Sequence, residues 1–184
     1  MNTTLLPFCR LLVESIVEYP RDLRVEEKWV GSLSTLVLSA NINDHGKLLG
    51  LHRRMFDALD EILEASAKRH GIHCRLVLDD PHCGREVPLK RFVPKKHWNH
   101  QDDTALRLLV EKVLGNLVDT HKIACLAISH NATGVSVVCD MEEPLRDALA
   151  IWLNAAGKTM GRIVYLDIAR ELQHDRPNAP TPGS

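Results

Sequence analysis

The sequence predicts an α+β protein built from two similar units, and three observations support this prediction. Apolar residues recur at helical spacing in some segments and alternate as in half-buried strands in others. The five residues RLLVE occur at 10–14 and again at 107–111. A similar order of predicted elements accompanies each copy, which favours an internal duplication over a chance match.

The first unit, residues 1–79, has the predicted element order α-β-β-α-α-β. The helical spacing of apolar residues predicts the helices, and runs of Val, Leu and Thr on either side of Gly31 indicate a β-hairpin. The predicted elements are a helix at 3–18, strands at 23–30 and 32–39, a short helix near 45–50, a longer helix at 54–70 and a strand at 73–79.

The second unit, residues 104–171, has the predicted order α-β-β-α-β, which is the first pattern without the short helix. After the copied helix it has strands at about 123–129, 135–139 and 162–168. Its last helix runs from an Asp140 cap, with Glu143 placed for a capping box, to about residue 158. One face of that helix is apolar: Leu145, Leu149, Trp152, Leu153 and Ala156. This face can dock on the first unit as a pseudo-dimer within one chain, or it can present a surface to another protein.

Residues 80–103, between the two units, are predicted to form a basic, Pro-containing linker. Within 85–100 it carries Arg85, Lys90, Arg91, Lys95 and Lys96 against the single acid Glu86. Together with Trp98, these cations suit phosphate contact and base stacking, although a charged linker is usually only solvated and Trp98 can equally be a buried anchor that pins the linker to a domain. The tail, residues 172–184, is Pro-rich and polar and is predicted to be disordered.

Composition narrows the class of protein. The 184 residues carry a formal net charge of −1, so the chain is not a polycation that coats nucleic acid by charge alone. No apolar run approaches the ~20 residues that span a bilayer, and we expect no membrane association. The five cysteines are odd in number and include no Cys-x-x-Cys pair, which favours packing roles in a reducing, cytoplasmic compartment.

The segment with the most specific pattern is residues 44–54, DHGKLLGLHRR. Asp44, Gly46, Lys47 and Gly50 match an Asp-x-Gly-Lys-aliphatic-aliphatic-Gly run, and Arg54 matches an arginine that follows it. By this run and its position in the element order, residues 4–79 resemble the small bacterial KH-domain RNA-binding proteins of the KhpA type. Such a turn between two helices lets a nucleic-acid backbone approach closely, because amide groups and the helix dipole favour phosphate there.

The resemblance implies a type II KH-like fold, followed by a degenerate KH-like repeat at 104–171 that lacks the glycine loop. It also implies non-enzymatic binding of single-stranded RNA in the cytoplasm, as an RNA chaperone or post-transcriptional regulator. Further partners that it suggests are a second copy of the chain or a second RNA-binding protein. The expected RNA-binding residues are Gly46, Lys47, Gly50, Leu51, His52, Arg53, Arg54, Lys90, Arg91, Lys95 and Lys96.

One residue departs from the family pattern: Arg53 occupies the position of the second glycine. If this position requires a positive φ, a non-glycine residue there costs about 1 kcal/mol or more and can block close approach. Alternatively, Arg53 supplies a phosphate-binding charge that glycine lacks. The chain is then either an RNA-binding protein or a KH-derived interaction module that has lost RNA binding.

Catalytic and metal-binding patterns are weak in this sequence. It has no Gly-x-Gly-x-x-Gly run, no Walker loop and no Gly-x-Ser-x-Gly elbow. His82, Cys83, His97 and His100 share one segment, but their spacing fits no zinc-finger pattern. We therefore expect no enzyme activity, no cofactor and no metal.

Overall fold

A computed structural model describes residues 5–79, 100–117, 127–131, 134–139, 141–161 and 164–168. In the first half the helices and strands are α1 (Leu6–Glu14), β1 (Arg24–Val30), β2 (Leu33–Ser39), α2 (Ile42–Leu49), α3 (Arg54–Lys68) and β3 (His73–Leu78). In the second half they are α4 (His100–Leu117), β4 (Ala127–Asn131), β5 (Gly134–Cys139), α5 (Glu143–Thr159) and β6 (Val164–Ile168). The α+β prediction is confirmed. None of the helices in the described part of the chain is long and apolar enough to cross a bilayer.

The two halves have the same sheet topology. In each three-stranded sheet the first two strands pair antiparallel, and the third strand pairs parallel with the second. The copied RLLVE segments even form the same ion pair, Arg10–Glu14 at 2.6 Å in α1 and Arg107–Glu111 at 2.8 Å in α4. The shared topology and the shared pair support an internal duplication.

The two halves share one hydrophobic core. Helix α3 of the first half packs along α5 of the second, and buried residues of both form a single cluster. Trp152 on α5 is fully buried, and its indole Nε1–H donates a hydrogen bond to the carbonyl oxygen of Leu12 on α1 at 3.0 Å. Thr159 Oγ1 donates to the carbonyl oxygen of Ile16 at 3.4 Å. Of the two roles that the sequence leaves open for the last long helix, the structure shows docking on the first half.

Several predicted boundaries differ from the structure; the helix predicted at 3–18, for example, is observed at Leu6–Glu14. Helix α4 begins at His100, inside the predicted linker, because its polar first turn has no apolar periodicity to reveal it. Helix α2 begins at Ile42, since the Asn41 side chain accepts a hydrogen bond from the Asn43 amide at 3.0 Å and caps it early. The Asp140 capping box is wrong, because α5 is capped at Glu142.

Two cysteines, Cys9 on α1 and Cys74 on β3, are buried in the core of the first half. Desolvation by burial, with the nearby thiol and carboxylates, raises the pKa of each from 9.0 to about 12. Both thiols therefore stay protonated at neutral pH and serve as small apolar side chains, as predicted from their positions in periodic segments.

We predict that Trp152→Ala destabilises both halves together. Losing a fully buried indole that touches both repeats should lower the free energy of unfolding by about 3–5 kcal/mol. Urea denaturation followed by far-UV circular dichroism should show one transition, shifted to lower urea. The control Trp29→Ala, at a half-buried site on β1, should cost less. Two separate transitions, only one of them shifted, would show that the halves do not share a core.

Candidate functional site

The turn between α2 and α3 requires a glycine at its first position. Gly50 has φ 66° and ψ 179°, a backbone conformation open almost only to glycine. A Cβ atom at Gly50 would lie 2.8 Å from Met55 Cβ and 3.0 Å from the Met55 amide nitrogen. Because these atoms belong to the first turn of α3, they cannot move aside without moving the helix. The glycine therefore sets how closely α2 and α3 approach each other.

Two non-glycine residues in the same turn have left-handed backbone conformations. His52 has φ 52° and Arg53 has φ 65°. Each costs about 1–2 kcal/mol relative to a right-handed residue. The positive φ at Arg53 is the one expected if this position needs glycine, whereas no sequence pattern predicts a positive φ at His52. Such strain tends to persist at functional sites, where the surrounding structure holds it in place.

The turn is open to solvent, and two of its amides have no acceptor among the described residues. All four side chains from Leu51 to Arg54 are exposed, Leu51 by 75%. The amides of Arg53 and Arg54 are used within the turn, donating to the carbonyl oxygens of Gly50 and Leu51. Among the described residues, none accepts a hydrogen bond from the amides of Leu51 or His52. These two amides are therefore the turn's donors for an external anion.

The first part of the motif has a structural role away from the turn. Asp44 is fully buried, and its carboxylate accepts hydrogen bonds from the amides of Glu18 (2.8 Å) and Tyr19 (3.0 Å), which ties α2 to the chain leaving α1. Lys47 Nζ lies 2.7 Å from Glu18 Oε1, so its charge is compensated within the protein. Gly46 lies one helical turn before Gly50 and accepts that residue's amide hydrogen.

A groove of about 350 Å³ opens beside the turn, between the two helices and β3. It is lined by Leu49 of α2, Arg53 of the turn, Phe56 of α3 and residues 75–78 of β3. The guanidinium carbon of Arg53 lies 5.3 Å from the centroid of the Phe56 ring, a cation–π contact. The groove thus combines an aromatic and aliphatic surface with positive charge at its mouth.

The open edge of β3 is covered by carboxylates over part of its length. Residues 73 and 79 donate their amides to β2, so the alternate amides point to the opposite edge of the strand. The Cys74 amide donates to Glu64 Oε2 at 2.6 Å, and the Leu76 amide donates to Asp60 Oδ1 at 2.7 Å. Desolvation alone would raise the pKa of Glu64, but hydrogen bonds from Cys74 and His73 and the charge of Lys68 lower it below 4.5.

The series of carboxylates stops where the groove begins. The two carboxylates belong to Glu64 and Asp60, which lie four residues apart on α3. The residue four positions before Asp60 is Phe56, which has no carboxylate. The corresponding strand residue is Leu78, which lines the groove together with Phe56. Among the described residues, none accepts a hydrogen bond from the Leu78 amide at this outer edge of β3.

The structure brings only part of the predicted site together. Gly50, Leu51, His52, Arg53 and Arg54 form one exposed turn, while Gly46 and Lys47 lie in α2. The predicted arm residues lie outside the described part of the chain: Lys90, Arg91, Lys95 and Lys96. The sequence does not predict Phe56, Arg75 and the backbone of Leu78 as site residues, because the groove forms only through tertiary packing. Of the three, only Phe56 could have been singled out in the sequence, as an aromatic residue.

The described residues define an α+β protein with two three-stranded sheets and one shared core. Comparisons with protein-family models, with curated proteins and with solved structures give no significant match. The chemistry of the turn and of the groove is therefore the basis for a functional proposal.

We predict that Gly50→Ala lowers the free energy of unfolding by about 2–4 kcal/mol, because it combines an unfavourable φ with a clash against Met55. Gly31→Ala is the matched control, since Gly31 also has a positive φ (60°) but open space around its Cα. It should cost only about 1 kcal/mol. Urea denaturation measures both, and equal costs would contradict the close approach of the two helices.

We predict a pH-dependent contribution from Glu64. Its folded pKa is lowered, so its stabilising effect is complete above the unfolded value near 4.5 and is lost as the pH falls through the folded value. Glu64→Gln should cost about 1–2 kcal/mol at pH 7 and much less near pH 2. Glu61→Gln, on the same helix, is the control. A Glu64→Gln cost that is the same at both pH values would rule out this linkage.

Proposed function

We propose that this protein binds single-stranded RNA without catalysing a reaction, with the turn at 50–54 on the phosphates and the adjoining groove on the bases. The observation that carries the proposal is the exposed turn itself. It lies between two helices, and no described residue accepts a hydrogen bond from the amides of Leu51 or His52. The element order in the first half supports the resemblance to KH proteins on which the expectation rests.

A phosphate at this turn would meet both hydrogen-bond donors and positive charge. The Leu51 and His52 amides supply donors, and the dipole at the start of the fifteen-residue helix α3 favours an anion there. Arg53 and Arg54 add two exposed cations that are always charged. Binding of this kind is expected to weaken steeply with added salt, because counterions are released from the nucleic acid.

The groove suits bases more than it suits an apolar ligand alone. Leu49 gives a partly exposed apolar surface against which a base can pack, beside the buried Phe56 ring, and Arg75 and Arg53 place cations at the edge of the groove. The backbone at Leu78 can form a hydrogen bond with the edge of a base. Proteins often recognise the unstacked bases of single-stranded RNA by such contacts. Single-stranded RNA presents unstacked bases beside a phosphate backbone, so it fits the turn and the groove at once.

Arg53 lies where the turn meets the groove, which favours an assisting role over an impaired loop. Its guanidinium is held over the Phe56 ring, so its charge has a fixed place at the mouth of the groove. An arginine in this position can contact a phosphate and also stack against a base. The left-handed backbone at Arg53 is already adopted in the protein, so a bound strand does not have to induce it.

We predict that Arg53→Gly weakens RNA binding about five- to tenfold without destabilising the fold. Glycine relieves the left-handed backbone but removes the guanidinium. Fluorescence polarisation with a pool of short single-stranded RNAs, at about 50 and 200 mM salt, measures affinity. Arg53→Ala should also weaken binding, whereas Arg21→Ala, an equal charge change in an exposed turn away from the groove, should not.

Two outcomes would count against the proposal. If Arg53→Gly raises the affinity, Arg53 impairs the loop and does not contact phosphate. If the unaltered protein shows no salt-dependent RNA affinity, the chain is better described as a KH-derived protein-interaction module. Light scattering on the same samples would then test for a homodimer.

A further inference from the structure

A second cavity lies beside the turn, between it and the second half of the chain. It has a volume of about 460 Å³ and is lined on one side by Gly50, Leu51 and Arg54. Its other wall is α5, including Asn154 and Lys158. This cavity and the groove at Phe56 have no lining residue in common, so the turn separates them.

Positive charge is concentrated at this junction. Lys158 also lines a smaller cavity of about 250 Å³ together with Lys47, whose charge is held by Glu18. No acidic side chain is among the described residues that line either cavity. Arg54 and Lys158 therefore face the same space from the two halves of the protein.

The neighbouring cavity between α3 and α5 is predominantly acidic. Further along the same pair of helices, the surface cavity is lined by three acids, Asp57, Glu61 and Asp147, together with Arg54. The basic region is thus confined to the end of the helix pair that carries the turn. An anionic ligand is favoured at the turn and disfavoured beyond it.

We propose that α5 of the second repeat completes the RNA site, with Lys158 and Asn154 holding the phosphate backbone on the side of the turn away from the groove. This inference rests on the proposed function, because it extends the same bound strand. An RNA strand that passes over the exposed turn meets the groove on one side and the α5 cavity on the other. Lys158 supplies a charge, and the Asn154 amide supplies donors for a phosphate or a ribose hydroxyl.

The position of Lys158 is fixed by the fold. Its neighbour Thr159 bonds to the Ile16 carbonyl oxygen, and Trp152 anchors the same helix in the core. The Lys158 and Asn154 side chains themselves are exposed. The second repeat, which has no glycine turn of its own, is thereby assigned a direct part in binding as well as a part in packing.

The test compares Lys158→Ala with Lys112→Ala in the full-length protein, using fluorescence polarisation with single-stranded RNAs of four and eight nucleotides. Lys112 is an exposed lysine of α4, beside Leu108 and far from the turn in the chain, so its loss makes the same change in net charge. We expect Lys158→Ala to weaken binding of the eight-nucleotide RNA about fivefold. It should also reduce the slope of log affinity against log salt by about 0.7, the value for one phosphate contact on a single strand.

The four-nucleotide RNA separates the two sides of the site, because it fills the groove and turn without reaching α5. Its affinity should be unchanged in Lys158→Ala, and Lys112→Ala should leave both RNAs unaffected. If Arg53→Ala weakens binding but Lys158→Ala matches the unaltered protein on both RNAs, the role of α5 is refuted and the proposed function stands. If the unaltered protein binds neither RNA, both are refuted.

Discussion

The packing of α3 against α5 is the interaction on which the rest of this structure depends. Helix α3 contacts α5 on one side and β3 on another, and its first residue, Arg54, ends the exposed turn. Since Trp152 of α5 is buried against α1, the second repeat cannot be removed without exposing the core of the first. The same packing places α5 beside the turn, so one contact between helices determines both stability and the shape of the proposed binding surface.

The turn shows how a local backbone constraint creates a chemical site. Gly50 allows α2 and α3 to meet at a distance that no side chain would permit. The three residues that follow must then reverse the chain in very little space, and two of them adopt left-handed conformations. The turn uses the amides of Arg53 and Arg54 internally, whereas those of Leu51 and His52 have no acceptor among the described residues. The free-energy cost of the left-handed residues in the turn is offset by the apolar side chains that the surrounding helices bury.

Much of the fold followed from patterns that are local in sequence. The sequence correctly predicts the hairpin around Gly31, the long helix from Arg54 and the helices that carry the repeated RLLVE segment. These predictions succeed because hydrophobic periodicity and turn residues reflect the local backbone conformation. The start of α4 at His100 was missed, since a polar first turn has no periodicity. Gly46 and Lys47 were predicted to bind RNA together with the turn, yet Lys47 is paired with Glu18, and Asp44 at the start of the motif accepts a backbone amide. The groove and the place of Lys158 could not be predicted, because they depend on which elements pack together.

The central claim is that the turn at 50–54 holds the sugar–phosphate backbone of a single-stranded RNA through the amides of Leu51 and His52. The most direct measurement is an NMR titration of the ¹⁵N-labelled protein with a short single-stranded RNA, following each backbone amide. The account predicts the largest chemical-shift changes at Leu51 and His52, with further changes at Leu78 in the groove. Binding that leaves the Leu51 and His52 amides unchanged, with shifts confined to other surfaces, would contradict it.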